Sequence, residues 1–198
     1  MVSILDFNNI DINLIEFSDY DDNLIIPKYE NNNIFFECIG MVDNFYEAKT
    51  KYSTYELIII PDDMTKQFIT NLDGRIVDMA IENINNWIIN KEKPFLYKSP
   101  MKDKNNAQNV SSQIIKLKIM NSKDFKTLLF DENNKMISYN TYSQKMTKGI
   151  KIRIILELAS LWMRENILGV YLKVHQIKKL KNDEDEDGDN AFDYIVSD

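Results

Sequence analysis

The sequence predicts a mainly β (α+β) domain, a barrel or strongly coiled sheet of about seven strands with one substantial helix, closed by a disordered acidic tail. Three observations predict it. Short β-branched and aromatic runs recur along the chain, one long segment repeats apolar residues at three- and four-residue steps, and the final residues are almost wholly acidic. At 198 residues the chain suits a single domain, spanning 1–181, with 182–198 as the tail.

The elements follow in order. Residues 1–33 are rich in Asn and Asp, which favour turns, and predict an irregular lead-in with one strand near Leu24 to Ile26. NIFFECIGM (33–41) and STYELIIIP (53–61) have strand composition and are expected to pair, with a polar stretch around Asn44 to Tyr52 between them. Pro61 with Asp62 or Asp63 supplies a helix start. Met64, Phe68, Ile69 and Leu72 then step along one face, Gly74 interrupts it, and Ile76 to Ile88 resume it as far as about Asn90. Residues 91–112, with two prolines and many lysines, read as a long exposed loop. QIIKLKIM (113–120) alternates Ile115, Leu117 and Ile119 inward with Lys116 and Lys118 outward. LLFDENNKMIS (128–138) reads as a hairpin turning near Asp131 to Asn134. In GIKIRIILELASLWM (149–163), Ile152, Ile154, Leu156 and Leu158 oppose Lys151, Arg153 and Glu157. RENILG turns the chain back, and VYLKVHQIKKL (170–180) sets Val170, Leu172, Val174 and Gln176 against Tyr171, Lys173, His175 and Ile177.

The net charge of −7 conceals a segregation. Residues 1–90 carry 5 basic and 16 acidic side chains, residues 91–181 carry 19 and 7, and residues 182–198 carry 0 and 8. An acidic protein is an unpromising partner for phosphates, yet the second half clusters the Lys and Arg that counterion release requires. The composition offers little for catalysis. His175 is the single histidine and Cys38 the single cysteine, so no His–His or Cys–His metal spacing exists, and Cys38 in an apolar run reads as a buried, inert thiol in a reducing compartment. No phosphate-binding glycine loop or nucleophile elbow occurs. Asp19, Asp21 and Asp22, or Asp62 and Asp63, have the chemistry for Mg²⁺ in a phosphoryl-transfer enzyme, but Asp-rich turns and a helix N-terminus explain them. No apolar run approaches the ~20 residues that cross a bilayer, and no signal peptide is read at the N-terminus.

A sequence-tolerant binder of single strands needs a cationic groove and exposed aromatic faces. Lys116 and Lys118, Lys151 and Arg153, and Tyr171 and Lys173 lie on the outward sides of three strands and form one basic surface if those sides coincide. Phe95, Tyr97, Tyr139, Tyr142 and Trp162 are further stacking candidates, each equally suited to a core or anchoring role, whereas Trp87 on the helix reads as core. The tail holds Phe192 and Tyr194 in an apolar cluster that solvation alone does not call for. These two side chains are the candidates for contact with a partner.

IENINNWIINK (81–91), the Tyr97-Lys98-Ser99-Pro100 stretch, IIKLKI (114–119), LLFDENNKMIS (128–138) and GIKIRIILELASLWMRENILGVYLKVHQI (149–177) together resemble the single-stranded DNA-binding proteins of large DNA viruses of eukaryotes. Those are similar to phage-type binding proteins with acidic tails. Trp162, Gly169, Lys173 and Gln176 match; the family's Gly-Lys pair in the turn is Asn166-Ile167 here, its return-strand aromatic is Leu172, and Arg164 stands in for the lysine. The resemblance covers roughly residues 81–198. It implies an OB-like fold, binding of single-stranded DNA by Lys98, Arg164 and the basic surface without sequence preference, no cofactor and no enzymatic activity. It also implies a tail that contacts replication proteins, and a place in the host cytoplasm or virion during viral DNA replication, recombination or repair. The competing reading is a virion or scaffold protein whose basic half packs against nucleic acid or protein. Exposed strand edges allow a homodimer without requiring one.

Overall fold

The computed structural model describes residues 4–5, 7, 10–48, 55–87, 93–105 and 111–181. The acidic tail, with Phe192 and Tyr194, lies outside the described residues. β1 (Ile4–Leu5), a 3₁₀ turn (Ile12–Leu14), β2 (Ile15–Phe17), β3 (Leu24–Ile25) and β4 (Pro27–Tyr29) form the lead-in. They precede β5 (Phe35–Glu47), β6 (Tyr55–Pro61), α1 (Asp63–Glu82) and the short α2 (Ile84–Trp87). Next come β7 (Leu96–Lys98), β8 (Met101–Asn105), β9 (Ser111–Ile119), β10 (Leu128–Phe130), α3 (Tyr139–Lys145), β11 (Lys151–Arg164) and β12 (Ile167–Lys179).

One curled sheet runs in the order β10-β12-β11-β5-β6-β9-β8, with β1 on β5, β3 on β11 and β7 on β12. The architecture is OB-like: β5, β6, β9, β12 and β11 wrap a core that includes Phe36, Cys38, Leu57, Ile59, Ile115, Leu117, Ile154, Leu156 and Val174. Among the described residues no ladder closes the half-barrel between β9 and β12. Thr127 pins it, its Oγ1 donating to Val174 O at 2.9 Å and accepting from Met120 N at 3.2 Å. Tyr139 adds its hydroxyl to the carbonyls of Met120 and Thr127.

α1 starts where the sequence places it. Asp62 caps it, accepting from Thr65 N at 2.8 Å. The helix buries Phe68, Ile69, Leu72, Ile76, Met79 and Ala80, and Phe68 lies against Phe7 and Phe36. It passes through Gly74 without a break and ends at Glu82, and a separate turn then buries Trp87. Residues 91–112 depart from the loop reading. Their described part holds β7, parallel to β12, and β8, antiparallel to β9, because Asn166 accepts from Leu96 N at 2.9 Å and donates its side-chain amide to Lys93 O at 2.7 Å. The hairpin at 128–138 turns at Asp131 to Asn134, with Asp131 N donating to Lys135 O at 3.0 Å and Ile137 N to Leu129 O at 2.9 Å around the Phe130–Met136 bridge, and its first strand also pairs with β12.

Two bulges reset the alternation of the long hairpin. Ala159 is extra in β11, so Ser160, Trp162 and Arg164 share the outward face with Lys151, Arg153 and Glu157. His175 is extra in β12, so alternation holds as far as Val174 and then inverts, turning Ile177 inward and Gln176 and Lys178 outward. That outward end is not solvated. Phe35, Phe130 and Ile155 form a second small cluster over it, and Gln176 and Lys178 are buried there.

Candidate nucleic-acid interface

The open seam between β9 and β12 is a groove of about 390 Å³. One wall is the outward side of β9, where alternation exposes Lys116 and Lys118. The opposite wall is β12 at Val170, Tyr171 and Leu172, the stretch between its pairing with β7 at 167–169 and with β10 at 176–178. The β7–β8 turn caps the groove with Lys98, Ser99, Pro100 and Lys102. This turn is anchored from below: Asp73 on α1 accepts from Tyr97 Oη at 2.5 Å and from Ser99 Oγ at 2.6 Å. Burial raises the Asp73 carboxyl above its ordinary value, against the lowering effect of those two bonds. With Tyr97 turned in, alternation turns Lys98 out.

Trp162 lies flat at the end of the groove because its cross-strand neighbour is Gly169. A Cβ at 169 would sit 2.2 Å from Trp162 Cζ2 and 2.4 Å from Cε2, closer than atoms pack. The missing side chain is what lets the indole rest on strand backbone and turn its other face outward. Tyr171, 38% exposed, stands one outward position further along β12.

The cations divide into free and engaged. Lys98, Lys102 and Lys118 are exposed and have no acid within ion-pair distance among the described residues. Lys116 is engaged: Glu56 takes its ammonium and the Tyr46 hydroxyl, and the Lys116 and Tyr46 bonds hold the Glu56 carboxyl below its ordinary value. Glu56 is the one carboxylate among the described residues that line the groove. A second pocket of about 330 Å³, between β1 and the start of α1, carries Glu37 and Asp62 and no cation among its described lining residues, the wrong sign for phosphate.

Solved structures of similar shape exist. The chain is similar to the single-stranded DNA-binding protein from bacteriophage Enc34, at 11% identity over 89% of this chain and 94% of that one, with a TM-score of 0.48. Its C-terminal truncation gives 10%, 85%, 96% and 0.48, and its complex with single-stranded DNA 10%, 85%, 96% and 0.47. No protein-family model matches the chain, and no curated protein matches it. At one identical residue in ten, the likeness assigns no residue a role.

The groove thus gathers Lys98, Lys116, Lys118, Trp162 and Tyr171 from the sequence-derived set, and adds Lys102 and Glu56. Lys102 sits in the segment read as loop, where only its lysine content signalled it. Lys151 and Arg153 share the outward face but lie at the far end of β11, about 30 Å of strand from Trp162. Arg153 Nε is 3.2 Å from Glu37. Phe95 and Tyr97 pack against the core, Tyr142 is fully buried, and Tyr139 pins the seam, so none of these offers a free ring face. Arg164 is exposed beyond Trp162.

Lys173 and His175 belong to a different arrangement. His175 Nε2 is 2.7 Å from Glu157 Oε2, Asn33 donates to Glu157 Oε1 at 3.1 Å, and Lys173 Nζ is 3.8 Å from Oε2 and 4.0 Å above the Phe125 ring. Burial pulls the Glu157 carboxyl up, but the His175 bond and the charges of His175, Lys173 and Lys28 outweigh it and leave it below its ordinary value. A carboxyl lowered by folding stabilises the fold above its unfolded value and loses that contribution as pH falls through the folded one. Glu157→Gln is therefore expected to cost about 1–2 kcal/mol near neutrality, with the gap to the parent closing on acidification. Thermal unfolding midpoints across pH check this.

Proposed function

We propose that the chain binds single-stranded DNA, without sequence preference and without catalysis, in the groove between β9 and β12. The observation that carries this reading is the meeting, in one open seam, of three lysines that no acid among the described residues pairs with, an indole held flat and a half-exposed tyrosine. Lysines at the rim neutralise phosphates, and the recessed rings accept bases that have left a duplex stack. Paired bases present only their edges and do not reach such faces. The setting we propose is the replication, recombination or repair of a viral genome, in host cytoplasm or virion, with Phe192 and Tyr194 of the acidic tail contacting replication proteins.

The test is anisotropy of labelled oligo-dT and of a duplex of equal length over a salt series. Preference for the single strand, with affinity falling as salt rises, supports the reading. Equal affinity for the duplex favours a scaffold that packs against nucleic acid generally. Glu56→Gln is expected to tighten oligo-dT binding about three- to tenfold, since it removes the groove's carboxylate and releases Lys116 for a further phosphate. The same titration measures it.

A further inference from the structure

Past Trp162 the outward face of the sheet continues in register. Trp162 is aligned with Leu24 on one side and with Gly169 and then Lys98 on the other. Two residues along each strand, the next row on the same face is Arg164, Ile167 and Leu96. Leu96 is 52% exposed, yet its backbone is tied to Asn166 and to the β12 ladder. Arg164 is exposed and has no acid within ion-pair distance among the described residues; the neighbouring Glu165 pairs with Lys93 at 3.5 Å instead. Asp21 and Asp22, exposed in the turn before β3, bound this face on the other side and steer a polyanion toward β7.

We propose that the bound strand leaves the groove over Trp162 and sets its next unpaired base on Leu96 and Ile167, with Arg164 at the adjoining phosphate. This rests on the reading of the groove as a single-strand site. The rows are about 6.6 Å apart. That is about twice the ~3.4 Å rise of stacked bases, so the spacing fits an extended, unstacked strand.

The test compares oligo-dT of about 4 and about 16 nucleotides, the bounds of what one OB fold covers. Leu96→Ser with Arg164→Ser is expected to weaken the longer strand about five- to fiftyfold and leave the shorter unchanged, while Trp162→Ala weakens both. Leu96→Tyr, which enlarges the stacking face, is expected to hold or raise affinity for the longer strand, and a loss there overturns the stacking role. Equal effects of the double variant on both lengths, or none on either, overturn the second step and leave the groove standing. A parent protein that binds neither length overturns the groove reading itself.

Discussion

Replacing Lys98, Lys102 and Lys118 together by alanine is expected to flatten the dependence of log affinity on log salt for oligo-dT by about 2 units, from about 0.7 per phosphate contact on a single strand. At low salt the loss should exceed about a hundredfold. The three ammonium groups converge on one groove from β9 and from the β7–β8 turn, and none is neutralised within the described residues. Because all three are exposed, folding stability should change by less than about 0.5 kcal/mol. The matched control is Lys151→Ala with Arg153→Ala. These two residues carry charge of the same sign on the same sheet face but stand at the far end of β11, and their replacement should leave the slope nearly unchanged.

Gly169→Ala should have the second large effect. Its Cβ would occupy space 2.2 Å from the Trp162 ring, and on the other side of the glycine is its own strand, so the indole must tilt out of the groove. Overpacking of this kind costs about 1–3 kcal/mol of stability. The loss of a stacked base costs about 1–3 kcal/mol of affinity in addition. Trp162 emission reports the movement directly once Trp87, which is buried on α2, is changed to Phe. We expect a shifted emission and a loss of its quenching by oligo-dT, to about the level of affinity that Trp162→Ala retains. Unaltered emission and affinity would mean that the glycine does not position the ring.

How far the fold was legible depends on the scale of the interaction that decides each element. β9 was read correctly because Ile115, Leu117 and Ile119 against Lys116 and Lys118 is a purely local pattern. The start of α1 was equally local, through Asp62. Gly74 misled because its cost of about 1 kcal/mol on an exposed face is small beside the burial of Leu72 and Ile76 on either side of it. β7 and β8 escaped the reading since strands of three and five residues carry little pattern of their own and exist through pairing with β12 and β9. The bulge at His175 has no compositional signature, and it inverts the assignments of Gln176 and Ile177.

The site was legible in its residue types and less so in its assembly. Alternation tells which face a residue occupies but not how far along that face it stands. Lys151 and Arg153 therefore share one basic surface with Tyr171 in the sequence, and the length of β11 separates them. Gly169 reads in the sequence as the end of the RENILG turn, and that the Trp162 ring approaches it is fixed only by the register of β11 against β12.

Where a bound strand crosslinks decides whether it lies, as proposed, in the seam between β9 and β12. Ultraviolet crosslinking of oligo-dT to the full chain, with the attached residues identified by mass spectrometry, tests this most directly. Attachment at Trp162 and Tyr171 is the predicted result. Attachment confined to the Lys151 and Arg153 end of the sheet, with the groove aromatics unmodified, would contradict it.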